Sequence, residues 1–124
     1  MPEKTLALIA HDGKKADMVA FVMQYREILK QYHLIATAST GRLLEEKCGL
    51  EIQKMLSGPF GGDAQIAAMV AEKRIEAVFF FTDPLTSQPH DPDIQSLLRI
   101  CNVHNVAIAT NAATAAYIVS NKAV

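Results

Sequence analysis

Residues 57–63, with the sequence Ser-Gly-Pro-Phe-Gly-Gly-Asp, form the segment of this chain best suited to chemistry. Glycine lets a ligand approach the bare backbone, and a glycine-rich turn that opens a helix presents several N–H groups to an anion. Asp63 therefore lies where anion-binding amides meet a possible base. The same segment also fits a purely structural interpretation, in which Asp63 caps the next helix and the glycines only turn the chain.

Similar polar segments follow each of the other four predicted strands. They are His11, Asp12 and Lys15; Thr37, Ser39, Thr40 and Gly41; Asp83, His90, Asp91 and Asp93; and Thr110 and Asn111. Because the ligand crevice of a parallel α/β sheet lies outside the carboxyl ends of its strands, the five segments together predict one functional edge. Each residue alone also fits a structural role, such as a helix cap. His33 and His104 lie elsewhere, and we assign them no role.

These residue types predict a site for one small phosphorylated ligand. A lysine, several hydroxyls and glycine-rich backbone can hold a phosphate, because helix N-termini and loop amides favour anions. The side chains concerned are Lys15, Thr37, Ser39, Thr40 and Ser57. The chain has neither a G-x-x-x-x-G-K-[ST] nor a G-x-G-x-x-G motif, which disfavours nucleoside triphosphates and dinucleotides. Carboxylates and histidines beside a phosphate predict proton transfer on a small phosphorylated carbonyl compound, which needs no cofactor.

Five strand–helix units must position these side chains. Apolar or β-prone runs predict strands at residues 5–10, 34–37, 50–56, 77–81 and 106–110. Apolar stripes predict one long helix over residues 18–32 and further helices over 43–48, 64–74, 94–101 and 112–119. We expect Ser39 or Thr40 and then Asp91 to be N-caps, with Pro92 as the first helical residue. The alternation predicts an α/β fold, a doubly wound three-layer sandwich with a parallel sheet.

Length and composition limit the function classes. A chain of 124 residues predicts a single domain over residues 1–124, and 12 Lys plus Arg against 13 Asp plus Glu leave no excess charge to attract nucleic acid or an anionic membrane. Residues 1–4 do not open a secretory signal and no apolar run approaches transmembrane length, so we expect a cytoplasmic protein. Cys48 and Cys101 have no metal-binding spacing and are expected to be buried thiols in a reducing compartment.

In this order and spacing, the polar segments resemble the methylglyoxal synthase family over essentially the whole chain. The matching pieces are residues 10–12 with Lys15, 36–37 with 40–41, 56–59 with 61–63, 83–85, 89–93 and 109–111. The resemblance implies conversion of dihydroxyacetone phosphate to methylglyoxal and inorganic phosphate, without metal or cofactor. It also implies a Rossmann-like three-layer sandwich with a five-stranded, mainly parallel sheet, assembled as a homohexamer.

The resemblance further implies roles for individual residues. Asp63 would be the catalytic base and His90 would polarise the substrate oxygens; Asp93 is the next candidate for the base. Substrate and phosphate binding would fall to His11, Lys15, Thr37, Ala38, Ser39, Thr40, Gly41, Ser57, Gly58 and Gly62, with Asp12, Asp83 and Asp93 supporting the site. The family's usual Thr-Gly-Thr-Thr-Gly is here Thr-Ala-Ser-Thr-Gly, which keeps hydroxyls but reduces backbone freedom at Ala38.

Two other functions stay open on the residues alone. A non-catalytic regulatory module of the same fold would need the phosphate-binding groups but not Asp63 and His90 together. An isomerase that makes glyceraldehyde phosphate would share the enediolate intermediate and differ only in its fate. The residue chemistry does not separate isomerisation from elimination, whereas the family resemblance favours elimination.

Overall fold

The computed structural model describes residues 4–120, in which five parallel strands form one sheet in the order β3-β2-β1-β4-β5. The strands are β1 (Thr5–Ala10), β2 (His33–Ala36), β3 (Gln53–Lys54), β4 (Ala77–Phe81) and β5 (Ala107–Ala109). The helices are α1 (Lys15–Gln24), α2 (Arg26–Leu29), α3 (Ala38–Cys48), α4 (Gly62–Ala71), α5 (Asp91–Val103) and α6 (Ala112–Ser120). Short 3-10 turns cover Asp12–Lys14 and Gly58–Phe60.

The central strands bury both of their faces, because side chains along a strand alternate between the two sides of the sheet. Leu8 and Phe79 pack into one core with α1, α3 and α6, whereas Ile9 and Phe80 pack into a second core with α4 and α5. This confirms the predicted α/β three-layer sandwich. The sheet is parallel at every pairing rather than mainly parallel.

The strand order places a topological switch between β1 and β4. From β1 the chain continues to β2 and β3 on one side, and it then crosses to β4 and β5 on the other. Ala10 lies opposite Phe81, and the His11 N–H donates to the Phe81 carbonyl at 3.1 Å. Because ligands bind outside the carboxyl ends of strands at such a switch, the segments that follow β1 and β4 lie where a site is expected.

The expected long helix over residues 18–32 is interrupted at Tyr25, so α1 and α2 are separate. Tyr25 has φ −109° and ψ 22°, outside the helical region. Arg26 then donates from Nε to the Cys48 carbonyl at 2.8 Å, at the end of α3. Apolar periodicity predicted one continuous helix because it contains no information on this long-range hydrogen bond.

The third strand is also shorter than predicted. Only Gln53–Lys54 forms strand β3, instead of residues 50–56. Leu50 and Ile52 are nevertheless buried in the core beside α1 and α3, so the predicted apolar positions fill space without pairing as a strand.

Two expected helix caps are wrong. α3 begins at Ala38 with Thr37 in the N-cap position, ahead of Ser39 and Thr40. The Thr40 hydroxyl instead accepts the N–H of Ala10 at 3.3 Å. α5 begins at Asp91 itself with His90 in the N-cap position, so Pro92 is the second helical residue. The cap at α5 is therefore one residue earlier than the sequence chemistry indicated.

Both cysteines are free and buried, as predicted, Cys48 in α3 and Cys101 in α5. Burial raises the pKa of both thiols, that of Cys101 to about 11. Within residues 4–120, no helix is long and apolar enough to cross a membrane, and no cluster of three His, Cys, Asp or Glu could hold a metal ion. Residues 1–3, on which the expectation of no secretory signal partly rests, lie outside the described residues.

Gly62 determines how α4 begins. Its N–H donates to the Ser57 carbonyl at 3.0 Å, and the preceding Gly61 has φ 103°, a left-handed value that favours glycine. A Cβ atom at residue 62 would lie 1.9 Å from the Leu56 carbonyl oxygen and 2.9 Å from Thr37 Cγ2. Only glycine therefore fits where the first turn of α4 passes these two groups.

We expect Gly62→Ala to lower the free energy of unfolding by about 3 kcal/mol, since the backbone must move to relieve the contact with Leu56. Urea denaturation followed by circular dichroism measures this loss. Ala64→Gly is the matched control, because Ala64 is exposed in the same helix and should cost about 1 kcal/mol through helix propensity alone. Equal losses in the two variants would contradict the steric role of Gly62.

Candidate functional site

A cleft of about 90 Å³ opens at the carboxyl edge of the sheet. Its lining comes from the end of β1 and from the segments that follow β1 to β4: Ile9, Ala10, His11, Asp12, Lys15, Thr37, Ser39, Ser57, Gly58, Pro59, Asp63, Gln88 and His90. Pockets for drug-sized ligands occupy roughly 300–1,000 Å³. The cleft therefore fits a small ligand rather than a nucleotide.

Buried polar groups without hydrogen-bond partners distinguish this cleft. Within residues 4–120, the buried side-chain atoms that lack one are His11 Nε2, both carboxylate oxygens of Asp63, and His90 Nδ1. Buried polar groups are normally hydrogen-bonded, because an unpaired one costs desolvation free energy. Three such side chains in one cleft indicate a binding site for a polar ligand.

Asp63 and His90 lie within ion-pair distance, with 3.1 Å between Oδ2 and Nε2. Among the described residues the contact lacks hydrogen-bond geometry, so both carboxylate oxygens stay available to a ligand. The Asp63 side chain is 0% exposed, and burial raises the pKa of its carboxyl; the nearby Asp93 adds to this, while His90 opposes it. A carboxylate with a raised pKa is a better base near neutral pH than an ordinary aspartate.

His11 presents a hydrogen-bond donor to the cleft. Its Nδ1 accepts the backbone N–H of Asp83 at 2.9 Å, so in the neutral ring the hydrogen resides on Nε2. Burial, followed by the nearby His90, lowers the pKa of His11 and favours that neutral form. The ring packs edge-on against Phe80 with centroids 5.2 Å apart, which fixes its orientation. Nε2–H is therefore a positioned donor with no partner among the described residues.

Lys15 brings its ammonium group to the end of β1. Nζ donates to the Ala10 carbonyl at 2.9 Å and to Asp12 Oδ1 at 2.9 Å. An ammonium has three N–H donors, so one remains for an anion. The Asp12 side chain is 99% exposed, and the hydrogen bond from Lys15 lowers the pKa of its carboxyl. Asp12 thus orients Lys15 from the solvent side of the cleft.

The N-terminus of α3 supplies the other side of an anion site. Thr37 and Ser39 line the cleft, and the first N–H groups of an α-helix have no acceptor within the helix. Thr40 is buried, and its hydroxyl bonds both the N–H and the carbonyl of Ala10, at 3.3 and 3.4 Å. It ties α3 to the end of β1, and in doing so holds the helix N-terminus beside Lys15. Such a terminus attracts a phosphate through its N–H groups and its dipole.

Gly58 allows the loop after β3 to approach His90. A Cβ atom on Gly58 would lie 2.5 Å from His90 Nε2, too close for any other residue without movement of the ring. Ser57 and Gly58 both line the cleft, so this loop forms part of its wall.

Several predicted residues support the cleft from behind its lining. Ala38 is the first residue of α3, and Gly41 packs its backbone against the Lys54 side chain, since a Cβ atom there would lie 2.6 Å from Lys54 Cγ. The Asp83 carboxylate accepts the N–H of Leu85 at 3.1 Å, and this bond, ahead of one from the Thr86 side chain, lowers the pKa of Asp83. Asp83 therefore acts on the site through its backbone N–H to His11.

Asp93 and the polar segment after β5 stand apart from the cleft lining. Asp93 lies in the first turn of α5, close enough to raise the pKa of Asp63. Asn111 Oδ1 accepts the N–H of Thr114 at 2.8 Å, and the Thr110 carbonyl accepts the N–H of Thr82 at 3.2 Å. The segment after β5 is therefore a helix cap and a loop contact.

Gln88 and Pro59 line the cleft but were not predicted as site residues. Gln88 lies in the aperiodic loop after β4, two residues before His90. Its place in that loop was the one available signal, because neither periodicity nor a motif marks a single glutamine.

Three larger hollows are present among the described residues. One, of about 470 Å³, lies beside Arg26 at the opposite edge of the sheet, and one of about 230 Å³ lies beside Asn111. The third, of about 540 Å³, lies beside the loop over residues 82–87 and shares His11 with the cleft. None of the three is lined by Asp63 or His90. Size alone therefore does not single out the candidate site, whereas the unpaired buried groups favour the small cleft.

Comparisons with known proteins agree with this geometry. Residues 17–110 match the family model of the MGS-like domain. A methylglyoxal synthase from Clostridium beijerinckii is 54% identical over 92% of this chain and 96% of its own length, and one from Carboxydothermus hydrogenoformans is 58% identical over 86% and 88%, respectively. The crystal structure of methylglyoxal synthase from Elizabethkingia anophelis NUHP1 superposes with a TM-score of 0.90 at 45% identity, covering 97% of this chain and 80% of that one.

We expect Asp63→Asn to raise the melting temperature at neutral pH. The folded-state pKa of Asp63 lies above its unfolded value, so its contribution to stability is present below the unfolded pKa and is lost as pH rises through the folded one. Asparagine removes the buried charge, and the gain should therefore disappear below about pH 4. Differential scanning calorimetry across this pH range measures both effects.

Asp83→Asn is the control of opposite sign, since hydrogen bonds lower the pKa of Asp83. That variant should be less stable than the wild type at neutral pH, with the loss fading as pH falls. A lower melting temperature for Asp63→Asn at neutral pH would show that the buried carboxylate stabilises the fold instead.

Proposed function

This chain belongs to the methylglyoxal synthase family and is a phosphate-eliminating lyase, and we propose on that premise that it converts dihydroxyacetone phosphate to methylglyoxal and inorganic phosphate. The observation that carries the proposal is the buried pair Asp63 and His90, whose unpaired polar atoms face a phosphate-sized cleft. A non-catalytic phosphate-binding module has no need of this pair. No cofactor enters the proposed reaction.

The substrate phosphate binds between α3 and the end of β1. The free N–H of Lys15, the first N–H groups of α3 and the hydroxyl of Ser39 are the donors for its oxygens. Ser57 and Gly58 contact it from the opposite loop. With the phosphate fixed there, the three-carbon chain of the substrate reaches Asp63 and the two histidines.

Asp63 is the base that begins the reaction. It removes a proton from the hydroxymethyl carbon, and the C–H electron pair forms a carbon–carbon double bond while the ketone oxygen takes the negative charge. This gives an enediolate. Proton abstraction by a positioned carboxylate contributes about 10²–10⁴-fold to a rate, provided its pKa suits the working pH. Burial raises the pKa of Asp63 in the direction that this condition requires.

His11 and His90 stabilise the charge that develops on the substrate oxygens. The Nε2–H of neutral His11 is a donor already held in place by Asp83, so little reorganisation accompanies the reaction. His90, whose ring lies beside both Asp63 and His11, is the second donor. Each removes part of the energetic cost of forming an oxyanion next to a buried carboxylate.

Elimination follows when the C–O bond to phosphate lies perpendicular to the enediolate plane. The terminal hydroxyl loses its proton to the departing phosphate and becomes the aldehyde, the double bond shifts towards the phosphate-bearing carbon, and the C–O bond breaks. The resulting enolate takes the proton held by Asp63 at its terminal carbon and becomes methylglyoxal. An isomerase would instead hold that C–O bond in the plane and release glyceraldehyde phosphate.

The assembly and location of the protein also belong to this proposal. We propose a single domain over residues 1–124, a homohexamer and a cytoplasmic location. The hexamer is what membership of the family implies, and closed symmetry is the general rule for soluble homo-oligomers.

Asp63→Asn should lower kcat for dihydroxyacetone phosphate by at least about a hundredfold, because asparagine keeps the shape but cannot accept the proton. Separate assays of methylglyoxal and free phosphate measure the rate, and exchange of the carbon-bound proton with solvent isolates the first step. The wild type should lose activity as the pH falls, because Asp63 becomes protonated. This loss should begin at a higher pH than it would for an ordinary aspartate, since the pKa of Asp63 is raised.

The control for this variant is the binding of inorganic phosphate, which should be unchanged. If the Asp63→Asn variant still exchanged the carbon-bound proton at the wild-type rate, Asp63 would not be the base. Asp93 would then be the next candidate. Glyceraldehyde phosphate as the main product of the wild type would defeat the lyase mechanism.

Lys15→Ala should raise KM about tenfold or more and weaken inhibition by inorganic phosphate in parallel, since substrate and free phosphate occupy the same donors. Steady-state kinetics with added phosphate measures both constants. Lys14→Ala is the matched control, because Lys14 pairs with Asp17 and does not line the cleft. Unaltered phosphate inhibition in Lys15→Ala would assign Lys15 a structural role at the end of β1.

A further inference from the structure

Gln88 is a polar residue that lines the cleft and that the reaction described above leaves unused. The residue is half-buried between the exposed Ser87 and Pro89 and lines the cleft with His90. Within residues 4–120, its side chain makes one hydrogen bond, from Nε2 to the Thr86 carbonyl at 3.4 Å, beyond the usual length of such bonds. The amide therefore keeps a donor and an acceptor for a ligand.

Asp91 forms hydrogen bonds with both backbone groups of Gln88. Asp91 Oδ2 accepts the N–H of Gln88 at 3.3 Å, and the Gln88 carbonyl accepts the N–H of Asp91 at 3.3 Å. The His90 carbonyl accepts the N–H of Asp93 at 2.9 Å. These bonds fix the backbone of Gln88 and His90 against the first turn of α5, so both residues reach the cleft from a defined turn.

The order of the strands indicates which end of a bound ligand lies near Gln88. The phosphate-binding Lys15 and α3 follow β1 and β2, whereas Gln88 follows β4, on the other side of β1. A ligand whose phosphate lies at α3 therefore directs its opposite end toward the loop that carries Gln88.

We propose that Gln88 determines substrate specificity by binding the hydroxyl at the end of the substrate remote from the phosphate. The inference rests on the proposed function and deepens it, since it assigns to one side chain the recognition of the hydroxyl that the proposed reaction requires. A hydroxyl both donates and accepts, and a glutamine amide matches both roles. A site built on such a bond disfavours a ligand without the hydroxyl, because its polar groups are then left unpaired.

The test compares dihydroxyacetone phosphate with hydroxyacetone phosphate, which has the same phosphate and ketone but lacks that hydroxyl. Gln88→Leu should raise KM for dihydroxyacetone phosphate about fivefold to tenfold. The inhibition constants of hydroxyacetone phosphate and of inorganic phosphate should stay at their wild-type values. Ser87→Ala, in the same loop, is the control and should leave all three constants unchanged.

A proportional rise for both triose ligands, or no change for either, would overturn the proposal, because a purely structural residue cannot distinguish ligands by one hydroxyl. If Gln88→Leu fails to fold by thermal denaturation, Gln88→Asn carries the same comparison, since its shorter amide should lose the same discrimination. If the wild type makes no methylglyoxal, the proposed function fails. Calorimetric dissociation constants of the two triose ligands would then still decide the role of Gln88.

Discussion

A carboxylate removed from water costs free energy unless charges or hydrogen bonds compensate it, and Asp63 is fully buried with neither oxygen hydrogen-bonded within the described residues. Two glycines give the surrounding backbone the close contacts that this buried position requires. Gly62 lets α4 pass the Leu56 carbonyl, and Gly58 leaves room for the His90 ring. Had Asp63 capped α4, the fold would be more stable and the cleft would have no free base. Two apolar cores, one on each face of the sheet, supply the stability that offsets this arrangement.

The proposed phosphate site in the cleft contains few formally charged groups. Lys15 shares its ammonium with the Ala10 carbonyl and Asp12, and the other donors are hydroxyls and backbone N–H groups of α3. Neutral donors hold a dianion less tightly than several cations would. Because the proposed reaction ends with free phosphate at this proposed site, a moderate affinity would favour product release, a step that limits many enzymes.

The parts of the fold and site that the sequence predicted are those set by local pattern. β1 and β4 are continuous apolar runs, and the residues that follow them had to reach one edge of a parallel sheet. The parts that it did not predict depend on distant partners. Tyr25 interrupts a helix beside Arg26, which bonds the end of α3; the tautomer of His11 is set by the Asp83 N–H, 72 residues away. The only local signal for Gln88 is its place in the aperiodic loop before His90, since its position in the cleft follows from the turn held by Asp91.

The burial of the two cysteines bears on the product of the proposed reaction. Methylglyoxal is an electrophilic dicarbonyl compound, and the nucleophilic form of cysteine is the thiolate. Cys48 and Cys101 lie in the core, and their raised pKa values leave both as thiols at neutral pH. Neither lines the cleft in which the dicarbonyl forms. Burial and protonation of both thiols should therefore protect the protein from modification by methylglyoxal, the product of the proposed reaction.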